Sequence, residues 1–208
     1  MRARLLTATI LAAGLGLAAA VPSNAAAPQV SDPAGDANAV NGQGAVTGVP
    51  SQATTPASAG SLDITSVQWS TKFTGSGKYR TPTHMVVTMS VAAPVADLGQ
   101  SAVWRATSMF GDCSVMAAYE VAPGFTPSAY IRVCNTNDPL GYTDIASSAK
   151  VSGTKIVWTV PIKQLKSYGI KAGATLDTLG GHTRLVLGAA TVPQVDDASS
   201  DRVYKVGS

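Results

Sequence analysis

The chain has 208 residues, a formal net charge of +3, 45% hydrophobic side chains and only 13% charged ones. That length suits one domain with an ample core. The absence of a basic stripe or an arginine-rich run argues against nucleic acid as a partner.

Residues 1–25 read as a secretory signal peptide. Arg2 and Arg4 form a basic start, Leu5 to Val21 is apolar, and Ser23-Asn24-Ala25 is a small-residue cleavage site. Cutting there leaves 183 residues with 13 basic against 12 acidic side chains. No later apolar stretch approaches membrane-spanning length, so a secreted, extracellular protein free of the membrane is expected after cleavage. Glu120 is the single Glu beside eleven Asp. Helical surfaces use Glu freely, whereas Asp suits turns and hard-cation sites. With abundant Thr, Val, Gly and Pro, this predicts a β-rich chain.

Residues 26–60 are Ala, Gly, Ser, Thr, Pro, Asn and Gln with almost no large apolar side chain, the composition of a flexible segment. Asp32-Pro33-Ala34-Gly35-Asp36 stands out within it as turn chemistry carrying two acids. That motif is expected to be pinned to the domain, with residues 40–59 a mobile excursion.

Residues 61–208 are predicted to form one antiparallel β-sandwich, jelly-roll-like, with at most one short helix. Val67 and Trp69 share a face of the first run. Met85, Val87, Met89 and Val91 alternate with polar positions in the second, and Ala102, Trp104 and Ala106 in the third. Ser114–Val121, Ala129–Val133, a weaker run near Ile145, Ile156–Val160, Thr183–Ala189 and Val203–Val206 follow. The helical candidate is Ile162–Tyr168, entered by Pro161 and ended by Gly169.

Cys113 and Cys134 flank the turn Pro123-Gly124-Phe125-Thr126-Pro127. A hairpin symmetric about it pairs Val115 with Arg132 and Ala117 with Tyr130, and sets the two cysteines opposite each other. A structural disulfide follows, as exported chains favour.

Calcium takes six to eight hard oxygen ligands, commonly Asp carboxylates and backbone carbonyls. Asp32 and Asp36 sit in one Gly-containing turn. Asp63 lies in Ser61-Leu62-Asp63-Ile64-Thr65, and Asp196 and Asp197 precede the closing run from Arg202 to Val206. These intervals exclude an EF-hand loop, so any site must be assembled by tertiary structure. The alternative is a set of ordinary turn aspartates.

Ser-Asp-Pro-Ala-Gly-Asp near the start, Leu-Asp-Ile-Thr at the first strand and Asp-Asp-Ala-Ser-Ser-Asp-Arg-Val-Tyr-Lys-Val-Gly at the end resemble secreted bacterial DOMON-like sandwiches. These are related to carbohydrate-binding modules such as the C-terminal domain of glucodextranase. The resemblance implies a jelly-roll-like sandwich with calcium near Asp32 and Asp36, and ligand roles for Asp63, Asp196 and Asp197. This chain departs from the pattern in its Gly/Ala/Thr/Pro insertion between Asp36 and Asp63. The aromatic-rich segment that often follows the motif in sugar-binding members is missing.

The expected function is non-catalytic binding of an extracellular or cell-wall polysaccharide, with a surface interaction or adhesion role as the alternative. Tyr79, Phe125, Tyr142 and Tyr168 lie in or beside loops and are candidate sugar platforms. Trp69, Trp104 and Trp158 lie mid-strand and read as core. A hydrolase would need His84 or His182, and no Gly-X-Ser-X-Gly elbow accompanies them. His182 is expected in a turn after Gly180-Gly181. Haem binding between Met and His ligands would draw on His84, Met85 and Met89, but the two methionines share an apolar face.

Overall fold

The computed structural model describes residues 27–37, 39–40, 46–47, 60–95, 101–135, 137, 140–186 and 194–208. The expected leader, residues 1–25, lies outside them, as does most of the 40–59 excursion.

The strands in chain order are β1 (Val30–Ser31), β2 (Ala39–Val40), β3 (Val46–Thr47), β4 (Ile64–Thr74), β5 (Thr81–Val91), β6 (Ser101–Phe110) and β7 (Cys113–Val121). They continue as β8 (Ser128–Cys134), β9 (Tyr142–Ala146), β10 (Ser148–Ser152), β11 (Lys155–Pro161), β12 (Thr175–Val186), β13 (Gln194–Ser200) and β14 (Tyr204–Lys205). They form an all-β antiparallel sandwich. The smaller sheet runs β1-β4-β5-β11-β10, and the larger runs β3-β2-β13-β12-β6-β7-β8-β9 with β14 paired to the start of β12. The helix α1 (Ile162–Leu165), continued by a 3-10 turn over Lys166–Tyr168, follows Pro161. It stops at Gly169, whose φ of 81° only glycine adopts without strain.

Period-2 patterning sorts the side chains. Val67, Trp69, Met85, Val87, Met89, Ile156, Trp158 and Val160 of the smaller sheet face Ala102, Trp104, Ala106, Val115, Ala117, Ile131 and Val133 of the larger, all essentially inaccessible. Burying each large side chain is worth roughly 1.5–3 kcal/mol, which sets the register of every strand. The Trp158 indole N–H donates to the Ala118 carbonyl at 2.8 Å, across the core, and that of Trp104 to the Ser61 carbonyl at 2.7 Å. Met85 and Met89 are core, and His84 lines a cavity of about 400 Å³ with Pro82, Ile162 and Lys163.

Val30 of β1 pairs with Val67 and is fully buried, so the sandwich takes in part of the segment that composition sets apart as 26–60. The β7–β8 register is one residue from the symmetric hairpin: Val115 pairs with Val133 and Ala117 with Ile131, while Tyr130 faces Ala118. The symmetric pairing would turn Arg132 or Val115 to the wrong face, and burial of the apolar set decides against it. Cys113 and Cys134 are bonded nonetheless, with Cα atoms 5.4 Å apart.

Gly180 and Gly181 lie within β12 and form no turn. A Cβ on Gly181 would stand 2.8 Å from Val67 Cγ2 and 3.0 Å from Met89 Cε, so the close approach of the sheets there requires glycine. The strand β10, polar at every second position, carries no strong apolar signal, and Asp196 and Asp197 belong to β13 rather than to a turn before the last strand.

Candidate metal centre

The Asp32–Asp36 turn leaves β1 as that strand ends. The Asp32 N–H donates to the Thr65 carbonyl at 3.1 Å, which anchors the turn to β4. Gly35 adopts φ +95° and presents its N–H to Asp63 Oδ2 at 2.6 Å. Only a residue without Cβ takes that conformation freely, and the bend swings Asp36 back toward Asp32.

The other half comes from β13. Thr183 pairs with Asp196 but Arg184 with Gln194, so Val195 is an extra residue in the strand. Such a bulge re-aims the side chains beside it. Val195 and Asp196 are consecutive yet both buried. Asp196 Oδ2 accepts the Ile64 N–H at 2.5 Å and Oδ1 accepts the Asp197 N–H at 2.8 Å.

The outcome is a cluster in which Asp32, Asp36 and Asp196 each offer a carboxylate oxygen within 4.8 Å of the others. Asp63, only 4% exposed, supports it from the side through the Gly35 N–H. The Asp197 side chain is exposed and pairs in register with His182, while its backbone N–H serves Asp196. Of the five acids read from the sequence, three carboxylates converge, one braces the turn, and one contributes its backbone to the site.

Two buried acceptors here have no hydrogen-bond partner, Asp32 Oδ2 and Asp63 Oδ1. A buried carboxylate oxygen without a donor is costly. Burial, then the charges of Asp36, Asp63 and Asp197, raise the pKa of Asp32. Burial also raises Asp63, against the Gly35 N–H, and pushes Asp196 up to about 6 despite its two backbone donors. All three shifts describe carboxylates that lack enough positive charge around them.

The donor set fits a hard divalent cation. Calcium sits about 2.3–2.6 Å from its oxygens, so two ligands of one ion lie at most about 5 Å apart, which the cluster satisfies. The shorter bonds of magnesium, about 2.0–2.1 Å, would require the three groups to draw together.

Of the loop aromatics, Tyr79 and Phe125 are largely exposed, Tyr168 packs against the core, and Tyr142 lies under the Arg132 guanidinium at 4.1 Å. The sequence offers no sign that Arg105, His182 and Arg184 share one face of the larger sheet, because only the register of β6 on β12 brings them together. No family model, curated protein or solved structure matches the chain, so its chemistry is read from the carboxylates themselves.

Proposed function

We propose that this chain is a secreted, non-catalytic binding module for an extracellular or cell-wall polysaccharide, with its N-terminal turn fastened to β13 by a structural calcium ion. The observation that carries the calcium assignment is the convergence of Asp32, Asp36 and Asp196 beside two buried carboxylate oxygens that lack donors. A leader-like start and a disulfide support export. The DOMON-like motifs support the polysaccharide class. His182, held at about 4 by burial and by Arg184 and Arg105, is a poor general base near neutrality, which supports a non-catalytic reading.

Thermal melts of chelator-treated protein test the cation, and a glycan array with and without calcium tests the ligand. At about one hundred times its Kd, calcium stabilises by about 2.7 kcal/mol, a rise of roughly 5–10 °C for a domain of this size. Magnesium is expected to do less. A melting temperature indifferent to calcium and to EDTA overturns the calcium site, and an array blank under both conditions overturns the polysaccharide ligand.

A further inference from the structure

Positive charge gathers at one end of the smaller sheet's outer face. Lys72 of β4, His84 of β5 and Pro161 of β11 pair in one row across three neighbouring strands. Their chain neighbours Met85 and Val160 are buried in the core, so His84 and Pro161 face outward. The helix α1 starts directly after Pro161 and brings Lys163 and Lys166, both exposed, to the same end.

The cavity of about 400 Å³ lies here, lined by the apolar Pro82, Pro161 and Ile162 and by Thr83, His84, Lys163 and Lys166. Small organic molecules are held in sites of about 300–1,000 Å³. No acid lines this one. Among the described residues no carboxylate lies within ion-pair distance of Lys72, His84, Lys163 or Lys166. The acids of the metal centre meet at Ile64, the opposite end of β4. Ile64 and Lys72 are eight positions apart in that strand, roughly 26 Å at about 3.3 Å per residue and well beyond a screening length of about 8 Å. Those carboxylates leave the lysines uncompensated. Lys163 and Lys166 also stand three positions apart in one helical turn, where like charges repel and an anion brings relief.

Thr83 Oγ1 donates its single proton to the Lys72 carbonyl at 3.0 Å, so its 3.0 Å contact with His84 is an Nδ1–H donation. That bond fixes the imidazole. His84 Nε2 stays accessible and has no hydrogen-bond partner among the described residues.

We propose that this cavity binds a phosphorylated sugar, with Lys163 and Lys166 on the phosphate, His84 Nε2 on a sugar hydroxyl, and the carbon skeleton against Pro82, Pro161 and Ile162. Ammonium groups are compact point charges that can meet a tetrahedral phosphate from separate directions. A planar carboxylate is matched best by a guanidinium fork, which the lining lacks. The apolar walls favour an organic ligand over a free ion. The site is remote from the metal centre and goes beyond the polysaccharide reading, on which it does not depend.

Titration calorimetry of the full chain with glucose 1-phosphate tests it, beside glucose, glucuronate, inorganic phosphate and phosphatidylglycerol vesicles. Glucose 1-phosphate is expected to bind best, inorganic phosphate about tenfold more weakly, and glucose without measurable heat. Lys163→Gln and Lys166→Gln are each expected to weaken glucose 1-phosphate about tenfold, the loss of one charged hydrogen bond. Lys166→Arg, which keeps the charge, should retain most of the affinity, and Lys150→Gln on the edge strand β10 should match the parent. Melting curves identify any variant that fails to fold, and the other lysine substitution then decides. Unchanged affinity in the lysine variants, or no binding of glucose 1-phosphate at all, overturns the site. Inorganic phosphate or glucuronate bound as tightly as glucose 1-phosphate overturns the sugar-phosphate assignment, as does binding to the vesicles alone. The calcium melts and the glycan array are independent of these results, and their failure leaves this site standing.

Discussion

Asp196 accepts the backbone N–H of Ile64 at 2.5 Å, although the two residues are 132 positions apart in the chain. The bond joins the start of β4 in one sheet to β13 in the other. It also fixes one carboxylate of the acidic cluster while Asp32 and Asp36 arrive on a separate turn. The two kinds of carboxylate therefore differ in what they do for the fold.

Asp196→Ala removes the acceptor of two backbone donors inside a packed region, and is expected to cost about 2–4 kcal/mol in EDTA and more in calcium, where a ligand is lost as well. Asp36→Asn alters an exposed member of the cluster. It relieves repulsion in the absence of the ion, so the chelated variant should be at least as stable as the chelated parent, while calcium should raise its melting temperature far less. Paired melts with calcium and EDTA check both; equal calcium responses in Asp36→Asn and the parent would exclude Asp36 as a ligand.

Acid should act on His182. Its folded pKa of about 4 lies below the usual 6.5. The unfolded chain takes up the proton first, so this contribution to stability is intact above about pH 6.5 and is lost as pH falls toward about 4. Asp196 opposes it in the cation-free protein: with its folded pKa about 6 against 3.8, acid strengthens the fold over that interval. Comparing the parent with His182→Gln separates the two. The variant should gain about 2 kcal/mol relative to the parent between about pH 7 and 4.5, after allowance for solvent screening. Denaturant titrations measure it, and a difference that stays flat with pH contradicts it.

Gly181→Ala should destabilise by about 1–3 kcal/mol, because the added methyl meets Val67 and Met89 across the two sheets. Combining it with Met89→Ala, which removes one of the obstructing groups, should give a smaller loss than the two costs added. Additive costs in a double-mutant cycle would place the strain elsewhere.

Replacing both cysteines by Ala opens a loop spanning 21 positions and should cost about 3 kcal/mol in the chain-entropy model. The double variant is expected to fold, since β7 and β8 remain paired from Val115 to Glu120. Circular dichroism and denaturant titration read the loss; a change below about 1 kcal/mol would show that the hairpin is already ordered in the unfolded chain.

Much of the sandwich is legible because alternation is strong where one face is dry. The runs at 85–91, 102–106 and 156–160 place every inward side chain correctly. The helix between Pro161 and Gly169 is legible from its boundary residues. Legibility fails where tertiary contacts overrule local preference. Gly180-Gly181 looks like a turn because nothing local reveals how closely Val67 approaches. Asp196-Asp197-Ala198-Ser199-Ser200 has poor strand composition, yet it is held along β12 by its pairing with Leu179–Thr183. Asp32 and Asp36 are evident as a pair from their turn chemistry. Their meeting with Asp196 depends on the bulge at Val195, which no spacing rule encodes.

The interior position of β13 in the larger sheet bears on how the molecule forms. A strand contributed by residues 194–200 must pair along β12 and meet β2 at Gln194, and only then do Asp32 and Asp36 meet Asp196 and the Ile64 N–H its acceptor. The turn at Asp32–Asp36 and the start of β4 therefore wait for a strand more than a hundred residues further along. Such long-range closure makes for slow folding, because the entropy of ordering the intervening chain is lost before the contacts form. The finished topology cannot be reached until residues 194–200 have taken their place; before that, the strands from the first half of the sandwich remain open and unlatched.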